Sequence, residues 1–412
     1  MITRNITPKI IEALSDTPVV MLNGARQTGK STLAKAIINQ KHIGRYVTLD
    51  DATVLAAAKH DPVGFLSGLG ESVVIDEIQR APELFVAIKA DVDQNRKPGR
   101  YLLTGSANVL LLPRLSESLA GRMEIFTLWP LSQGEFSGVR ERFIDTLFSE
   151  NVPTQVLNSG DNDATLIERA IRGGYPEAAA RTSESRRRAW FESYITTILQ
   201  RDVRDIANID GLAAMPRLLA MLATRSPSLL NYSELSRTTG LPQSTLKRYM
   251  SLFEMIFLID HLPAWYSYLG KRLVKTSKLI MSDTGLLTTL LAVDAVRLEN
   301  TPLCGAVVEN FVIMELKKQI SWSDTKPAML HFRTQAGQEV DVVLEDRAGR
   351  IIGIEIKSAK SVGGQDFRGL HALAEAAGNQ FLRGIVLYGG SEIVSFGSNL
   401  LAMPISSLWD RN

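Results

Sequence analysis

Eight residues near the N-terminus carry the sharpest chemical pattern in the chain. Gly24-Ala25-Arg26-Gln27-Thr28-Gly29-Lys30-Ser31 fits G-x-x-x-x-G-K-[ST], a spacing that cradles phosphate. The glycines let the backbone curl so that its N–H groups face phosphate oxygens. The N-terminus of a following helix adds positive potential. Lys30 would set an ammonium on the β- and γ-phosphates, and the Ser31 hydroxyl would ligate Mg²⁺. Gly24 through Thr32 are therefore the expected nucleotide-binding residues, with ATP and Mg²⁺ as the expected ligands. Arg26, inside the loop, also has a structural reading.

The second half of such a site is an acidic strand end. Val73-Val74-Ile75-Asp76-Glu77 supplies one, and Asp76 follows Lys30 by 46 residues. Asp76 would hold Mg²⁺, directly or through water, while Glu77 would polarise the attacking water. In Leu103-Thr104-Gly105-Ser106, a strand ending in small hydroxyl residues, Ser106 is placed to sense a γ-phosphate. Arg122 is expected to neutralise developing charge as an arginine finger, in cis or from a neighbouring copy, or else simply to pair with a carboxylate.

Placing these residues requires strands that alternate with helices. Pro18–Leu22, Tyr46–Leu49, Ser72–Ile75 and Tyr101–Leu103 read as strands with helical patterns between them, which predicts a parallel sheet with helices on both faces over residues 1–136. Residues 137–225 read as a linker or loop to about 165, containing Pro153 and the turn-forming cluster Asn158–Asp163, then as helix. The short apolar stretch Leu252–Ile259 reads as buried helix. From 301 to 412 a helix, Val307–Gln319, precedes strand-like runs at Leu330–Arg333, Glu339–Leu344, Ile351–Ile356 and Gly384–Tyr388, a second α/β unit.

Taken together, GARQTGKST (24–32), VVIDEIQRAPELF (73–85), YLLTGSAN (101–108), SLAGR (118–122), LWPLSQGE (128–135), GGYPEA (173–178), GAVVENFVIMEL (305–316), FRTQAGQEVDVVL (332–344) and IEIKS (354–358) resemble a family of prokaryotic AAA-type ATPases whose C-terminal domain has no assigned function. The resemblance spans nearly the whole chain. It implies ATP as the nucleotide and an AAA-like core. It supplies no substrate.

Residues 226–300 resemble a winged helix-turn-helix. The first helix would begin at Tyr232 with Ser233 as a candidate cap, Gly240 would make the turn, and a second helix from Pro242 would carry Ser244, Thr245, Lys247 and Arg248. Lys271, Arg272, Lys275 and Lys278 would form a basic wing, which makes DNA a candidate partner; a solvated packing module is the alternative.

In the last block Asp341, Glu355 and Lys357 form D-x(13)-E-x-K, with Glu309 on the preceding helix. This is the arrangement of PD-(D/E)XK nucleases, in which carboxylates hold divalent ions and the lysine helps activate water. It predicts a restriction-endonuclease-like domain, with these four residues as a second metal site and Arg333 and Gln335 as backbone contacts. The same fold retained without cleavage is the alternative. His42, His60, His261, His331 and His371 show no metal-ligand spacing and read as surface or core residues.

Composition bounds these readings. The chain has 412 residues, enough for about two or three domains. Lys plus Arg total 46 against 44 Asp plus Glu, so the formal charge of +2 decides nothing about nucleic acid. The single cysteine, Cys304, excludes an internal disulfide, and no apolar run approaches a membrane span or a signal-peptide core, so a cytoplasmic protein is the expectation. Two readings follow. One is an ATP-driven protein acting on DNA, working alone or as a homo-oligomer. The other is an ATP switch whose C-terminal half is an interaction platform.

Overall fold

The computed structural model describes residues 2–41, 44–108, 119–150, 165–206, 212–267 and 276–410. They group into two compact units, Thr3–Leu131 with Leu252–Leu258, and Ser132–Ser251 with the residues from Ile259 on.

The first unit is built on five parallel strands: β1 (Val19–Asn23), β2 (Arg45–Thr48), β3 (Val73–Asp76), β4 (Tyr101–Gly105) and β5 (Met123–Thr127). Their order is β2-β3-β4-β1-β5. The runs in β1, β3 and β4 are apolar without alternation because both faces are covered. Met21, Ile75 and Leu103 share one face and pack with Leu84, Phe85, Ile88 and Val92 of the Glu83–Gln94 helix. Val74 and Leu102 point the other way and line a cleft with Ile37 of the Lys30–Lys41 helix. The order has one consequence for chemistry. Because β4 lies between β1 and β3, Thr104 stands level with Leu22 on one side and next to the end of β3 on the other.

In the second unit, the polar stretch expected to be a loop contains the Phe143–Phe148 helix. Phe143, Ile144, Leu147 and Phe148 are buried; their i, i+1, i+4, i+5 spacing makes one apolar helical stripe inside a polar segment. Pro153 and the Asn158–Asp163 cluster lie outside the described residues. Farther on come the Tyr232–Thr239 and Gln243–Met255 helices, with Gly240 between them at φ +72°. The first is capped by Asn231, not Ser233: the Asn231 side chain accepts from Glu234 N at 3.0 Å, two residues earlier than the sequence reading.

Three short antiparallel strands flank these helices in the sheet order β6-β8-β7: β6 (Ser228–Leu229) before them, and β7 (Ile259–Leu262) and β8 (Lys278–Met281) after them. The stretch read as one buried helix over Leu252–Ile259 divides instead. The helix ends at Met255, Phe257 takes φ +58°, and β7 begins at Ile259.

The C-terminal part of the second unit is a six-stranded mixed sheet, order β13-β14-β12-β11-β10-β9. Its strands are β9 (Ala328–Arg333), β10 (Glu339–Glu345), β11 (Ile351–Lys357), β12 (Phe381–Tyr388), β13 (Val394–Ser395) and β14 (Leu400–Pro404). β9, β10 and β11 run antiparallel, while β11, β12 and β14 run parallel. Leu370 and Leu373 of the Arg368–Ala377 helix press on the sheet so closely that a Cβ on Gly353 would lie 2.6 Å from Leu370. Among the described residues no helix is long and apolar enough to cross a membrane.

Candidate functional site

β1 ends at Asn23, and the chain turns into the loop through Gly24 at φ +144°. Glycine is required there: a Cβ would sit 2.4 Å from the carbonyl oxygen of Leu128. Gln27 at φ +65° and Gly29 at φ +95° complete the curl, and the helix starts at Lys30. Thr28 Oγ1 ties the loop to itself by donating to Ala25 O at 2.9 Å. Lys30 folds back over the loop, its Nζ 2.9 Å from Gly24 O and 2.8 Å from Ala25 O. Those carbonyls hold an ammonium beside the helix N-terminus, where anions are favoured. Thr32 lies in the first helical turn.

The acidic strand meets this helix directly. Ser31 Oγ donates to the Asp76 carboxylate at 2.8 Å and 3.0 Å, and Tyr46 OH donates to it at 2.7 Å. Thr48 adds a long contact of 3.5 Å, and Thr104 donates to the other oxygen. Burial, then the Asp76 carboxylate, push the Tyr46 phenol up, so it stays a donor. Hydroxyls are neutral, so these donors orient Asp76 without discharging it. Ser31 donates a hydrogen bond to Asp76 through its hydroxyl hydrogen and keeps oxygen lone pairs for a cation. The donor set therefore fits Mg²⁺, which takes hard oxygen ligands.

Glu77 adopts the left-handed conformation at φ +60°, a cost of about 1–3 kcal/mol for a residue with a Cβ. The bend lets its N–H donate to Thr104 Oγ1 at 3.2 Å. Gln79 Nε2 donates to the Glu77 carboxylate and to Ser106 Oγ, the latter at 2.9 Å. Lys30, Ser31, Asp76, Glu77 and Ser106 thus belong to one connected region. Tyr46, Thr104 and Gln79 join it; all three lay within quoted runs, but Tyr46 and Gln79 were given no role there. Arg4 was also missed: its guanidinium donates to Thr28 O at 2.8 Å and to Trp129 O at 2.6 Å, bracing the loop from behind.

Arg122 is not part of this region. Its carbonyl accepts from Val19 N at the start of β1, whereas the loop leaves the other end of that strand. Five residues at about 3.3 Å each separate the two ends by roughly 15 Å. The arginine-finger role in cis is therefore corrected: Arg122 Nε pairs with Asp93 at 2.5 Å.

A second set of ionisable residues converges in the C-terminal sheet. β10 and β11 form the antiparallel hairpin the sequence implies, and Asp341 lies where the β9–β10 register slips between Val340 and Val343. Asp341 Oδ2 accepts from Ile356 N at 3.0 Å, beside Glu355. Lys357 Nζ donates to Glu355 Oε1 at 2.8 Å, as two residues on one strand face can. Glu355 Oε2 is buried with no protein partner. The centre also contains an unexpected member. Lys278, read as part of an exposed basic wing, is 4% exposed, and its Nζ lies 2.8 Å from Glu309 Oε1 and 3.0 Å from Asp341 Oδ1. Burial alone would lower Lys278, but Asp341 and Glu309 outweigh it and raise it, so it stays an ammonium. Burial, then the Asp341 charge, raise Glu309 and Glu355. With an ammonium bridging Glu309 and Asp341, the donor set does not fit a second divalent metal. Arg333 pairs with Glu339 at 3.0 Å, and Gln335 is exposed.

Of the other basic residues, Lys247 and Arg248 are exposed on the Gln243–Met255 helix, while Lys271, Arg272 and Lys275 lie outside the described residues. His331 is core, His60 and His371 are exposed, His261 is partly buried, and His42 lies outside the described residues.

The loop, the acidic strand end and the inserted β4 define an AAA-type P-loop fold. In agreement, residues 16–137 match the AAA domain family, residues 163–297 match a domain of unknown function (DUF8612), and residues 304–408 match another (DUF4143). The chain belongs to the family of the uncharacterized protein Rv2008c of Mycobacterium tuberculosis, to which it is 33% identical over 360 residues, 86% of this chain and 73% of the relative. Uncharacterized protein Mb2031c of Mycobacterium bovis matches to the same extent. Among solved structures, the Walker-type ATPase PABY2304 of Pyrococcus abyssi is similar at 14% identity and TM-score 0.44, over 71% of this chain and 96% of that one. The RuvB Holliday junction branch migration motor of Thermotoga maritima is similar at 19% identity and TM-score 0.31, over 63% and 89%.

Proposed function

We propose that the chain binds ATP with Mg²⁺ at Gly24–Thr32 and hydrolyses it. The observation that carries this reading is the Ser31–Asp76 contact at 2.8 Å, which joins the loop-bearing helix to the acidic strand at one point. On ATP binding, the Lys30 ammonium exchanges the Gly24 and Ala25 carbonyls for phosphate oxygens, and backbone N–H groups of the loop take the rest. Ser31 and Asp76 hold the metal, which neutralises charge on the phosphates. Glu77 accepts hydrogen-bonding from the attacking water and polarises it, with Gln79 and Ser106 positioning its carboxylate. Arg122 has no part in this assignment.

The test is phosphate release alongside nucleotide binding. Lys30→Ala is expected to lose both. Glu77→Gln is expected to keep binding and to lose hydrolysis on the order of 100-fold or more. Hydrolysis by Glu77→Gln at the wild-type rate would remove Glu77 from its role, and unchanged ATP affinity in Lys30→Ala would remove the site.

DNA is the second reading. It is favoured by Lys247 and Arg248, exposed near the start of the second helix of a helix–turn–helix. The burial of Lys278 takes one cation from that surface. DNA affinity measured against salt is expected to weaken in the Lys247→Ala and Arg248→Ala double variant, with a shallower salt dependence. Equal affinity and slope in both proteins would end this reading.

A further inference from the structure

The nuclease-like pattern calls for Asp341 and Glu355 to face a divalent cation, with Glu309 beside them. In this chain a positive charge is already built in. Lys278 Nζ lies 2.8 Å from Glu309 Oε1 and 3.0 Å from Asp341 Oδ1, bridging two carboxylates from different elements. Mg²⁺ binds oxygen at about 2.1 Å. A divalent ion on either oxygen would therefore fall within roughly 5 Å of an ammonium that the same oxygens hold. Lys357 brings a second ammonium, 2.8 Å from Glu355 Oε1. Three carboxylates then face two fixed cations, leaving little charge for a divalent ion to neutralise.

Lys278 has nowhere to withdraw. It is 4% exposed, and its backbone opens β8, paired with Leu229 of β6 and Leu262 of β7. Removing an ammonium from two buried carboxylates without replacing it leaves their charge uncompensated. The neighbouring His331 contributes no charge, since burial lowers it to about 4. What remains unsatisfied is Glu355 Oε2, buried and without a protein partner.

We infer that Lys278 is the resident cation of this centre, standing where a cleaving centre holds a divalent metal, and that the domain does not cut phosphodiester bonds. The carboxylates are kept as a charge network that the ammonium locks, linking β8, the Leu303–Ile320 helix and the β10–β11 hairpin.

The experiment uses the full chain without nucleotide and titrates Mn²⁺, reading free Mn²⁺ by electron paramagnetic resonance. Wild type and Asp341→Asn are expected to bind Mn²⁺ identically up to millimolar concentration. Lys278→Ala and Lys278→Met are each expected to gain a site at least about tenfold tighter, lost again when Asp341→Asn is added. Folded lysine variants that gain no Mn²⁺ would overturn the assignment. So would saturable Mn²⁺ binding by wild type that Asp341→Asn abolishes. Metal-dependent cleavage of single-stranded, duplex or branched DNA by wild type, abolished in Asp341→Asn, would overturn it equally. If neither lysine variant folds, these two wild-type measurements decide alone, absence of both supporting the lysine as the resident cation.

Discussion

Asp76 and Asp341 are both buried aspartates on sheet strands, and both face hydrogen-bond donors from other elements. The donors differ in charge. Asp76 is surrounded by the hydroxyls of Ser31, Tyr46, Thr48 and Thr104, which orient it and leave its negative charge in place. Asp341 accepts from a backbone N–H and from the ammonium of Lys278, shared with Glu309, which offsets part of the negative charge there. A carboxylate held by neutral donors is a place for a cation to bind; one held by a cation is a finished structural unit. Charge, rather than carboxylate count, separates the two centres.

Glu141 tests a third way of burying a carboxylate, and the effect should be the largest. It accepts from Ser132 Oγ at 2.7 Å and from Gly134 N at 2.8 Å. Burial, then the charge of Glu315, push it up to about 8. A carboxyl whose folded pKa exceeds its unfolded value binds its proton more tightly in the fold, so stability falls as pH rises between the two. Between about pH 4.5 and pH 8 the second unit should lose on the order of 4 kcal/mol from this residue, and Glu141→Gln should flatten that slope. Chemical denaturation across that range measures it; an unchanged slope in the variant would mean that Glu141 is ionised in the fold.

Ser31→Ala sharpens the contrast at Asp76. The hydroxyl is the neutral link between loop and acidic strand, so its loss should cost on the order of 100-fold in ATP hydrolysis at fixed Mg²⁺, partly recovered at high Mg²⁺. Magnesium titration of the hydrolysis rate reads this out, and a variant with the wild-type Mg²⁺ dependence would show that Ser31 does not touch the metal.

The smallest effect is expected at Arg122, which pairs with Asp93 at the far end of β1. Arg122→Ala should change hydrolysis per chain by less than about twofold in dilute protein, consistent with an exposed ion pair of little energetic weight. A drop larger than tenfold that grows with protein concentration would instead place Arg122 at a neighbour's nucleotide.

Much of the first unit was legible because its signals are local. The loop needs glycine where a Cβ would strike Leu128, and lysine and serine at fixed offsets along the following helix turn. Strands β1, β3 and β4 declare themselves as short apolar runs. β5 escaped, since Met123-Glu124-Ile125-Phe126-Thr127 mixes a charge into a partly exposed edge strand. The Phe143–Phe148 helix escaped because a single apolar stripe was hidden in polar flanks.

The sequence by itself determined the phosphate-binding loop, the acidic strand end and the D…E-x-K hairpin, since each is written within one or two adjacent elements. Only the tertiary structure decided their company. Insertion of β4 brings Thr104 to Asp76, the strand direction carries Arg122 away from the loop, and Lys278 reaches Glu309 and Asp341 from 31 and 63 residues away. The reason is physical: a lysine looks the same in sequence whether water or two carboxylates solvate it. Which of them does so is settled by the packing of β8, not by the residues beside it.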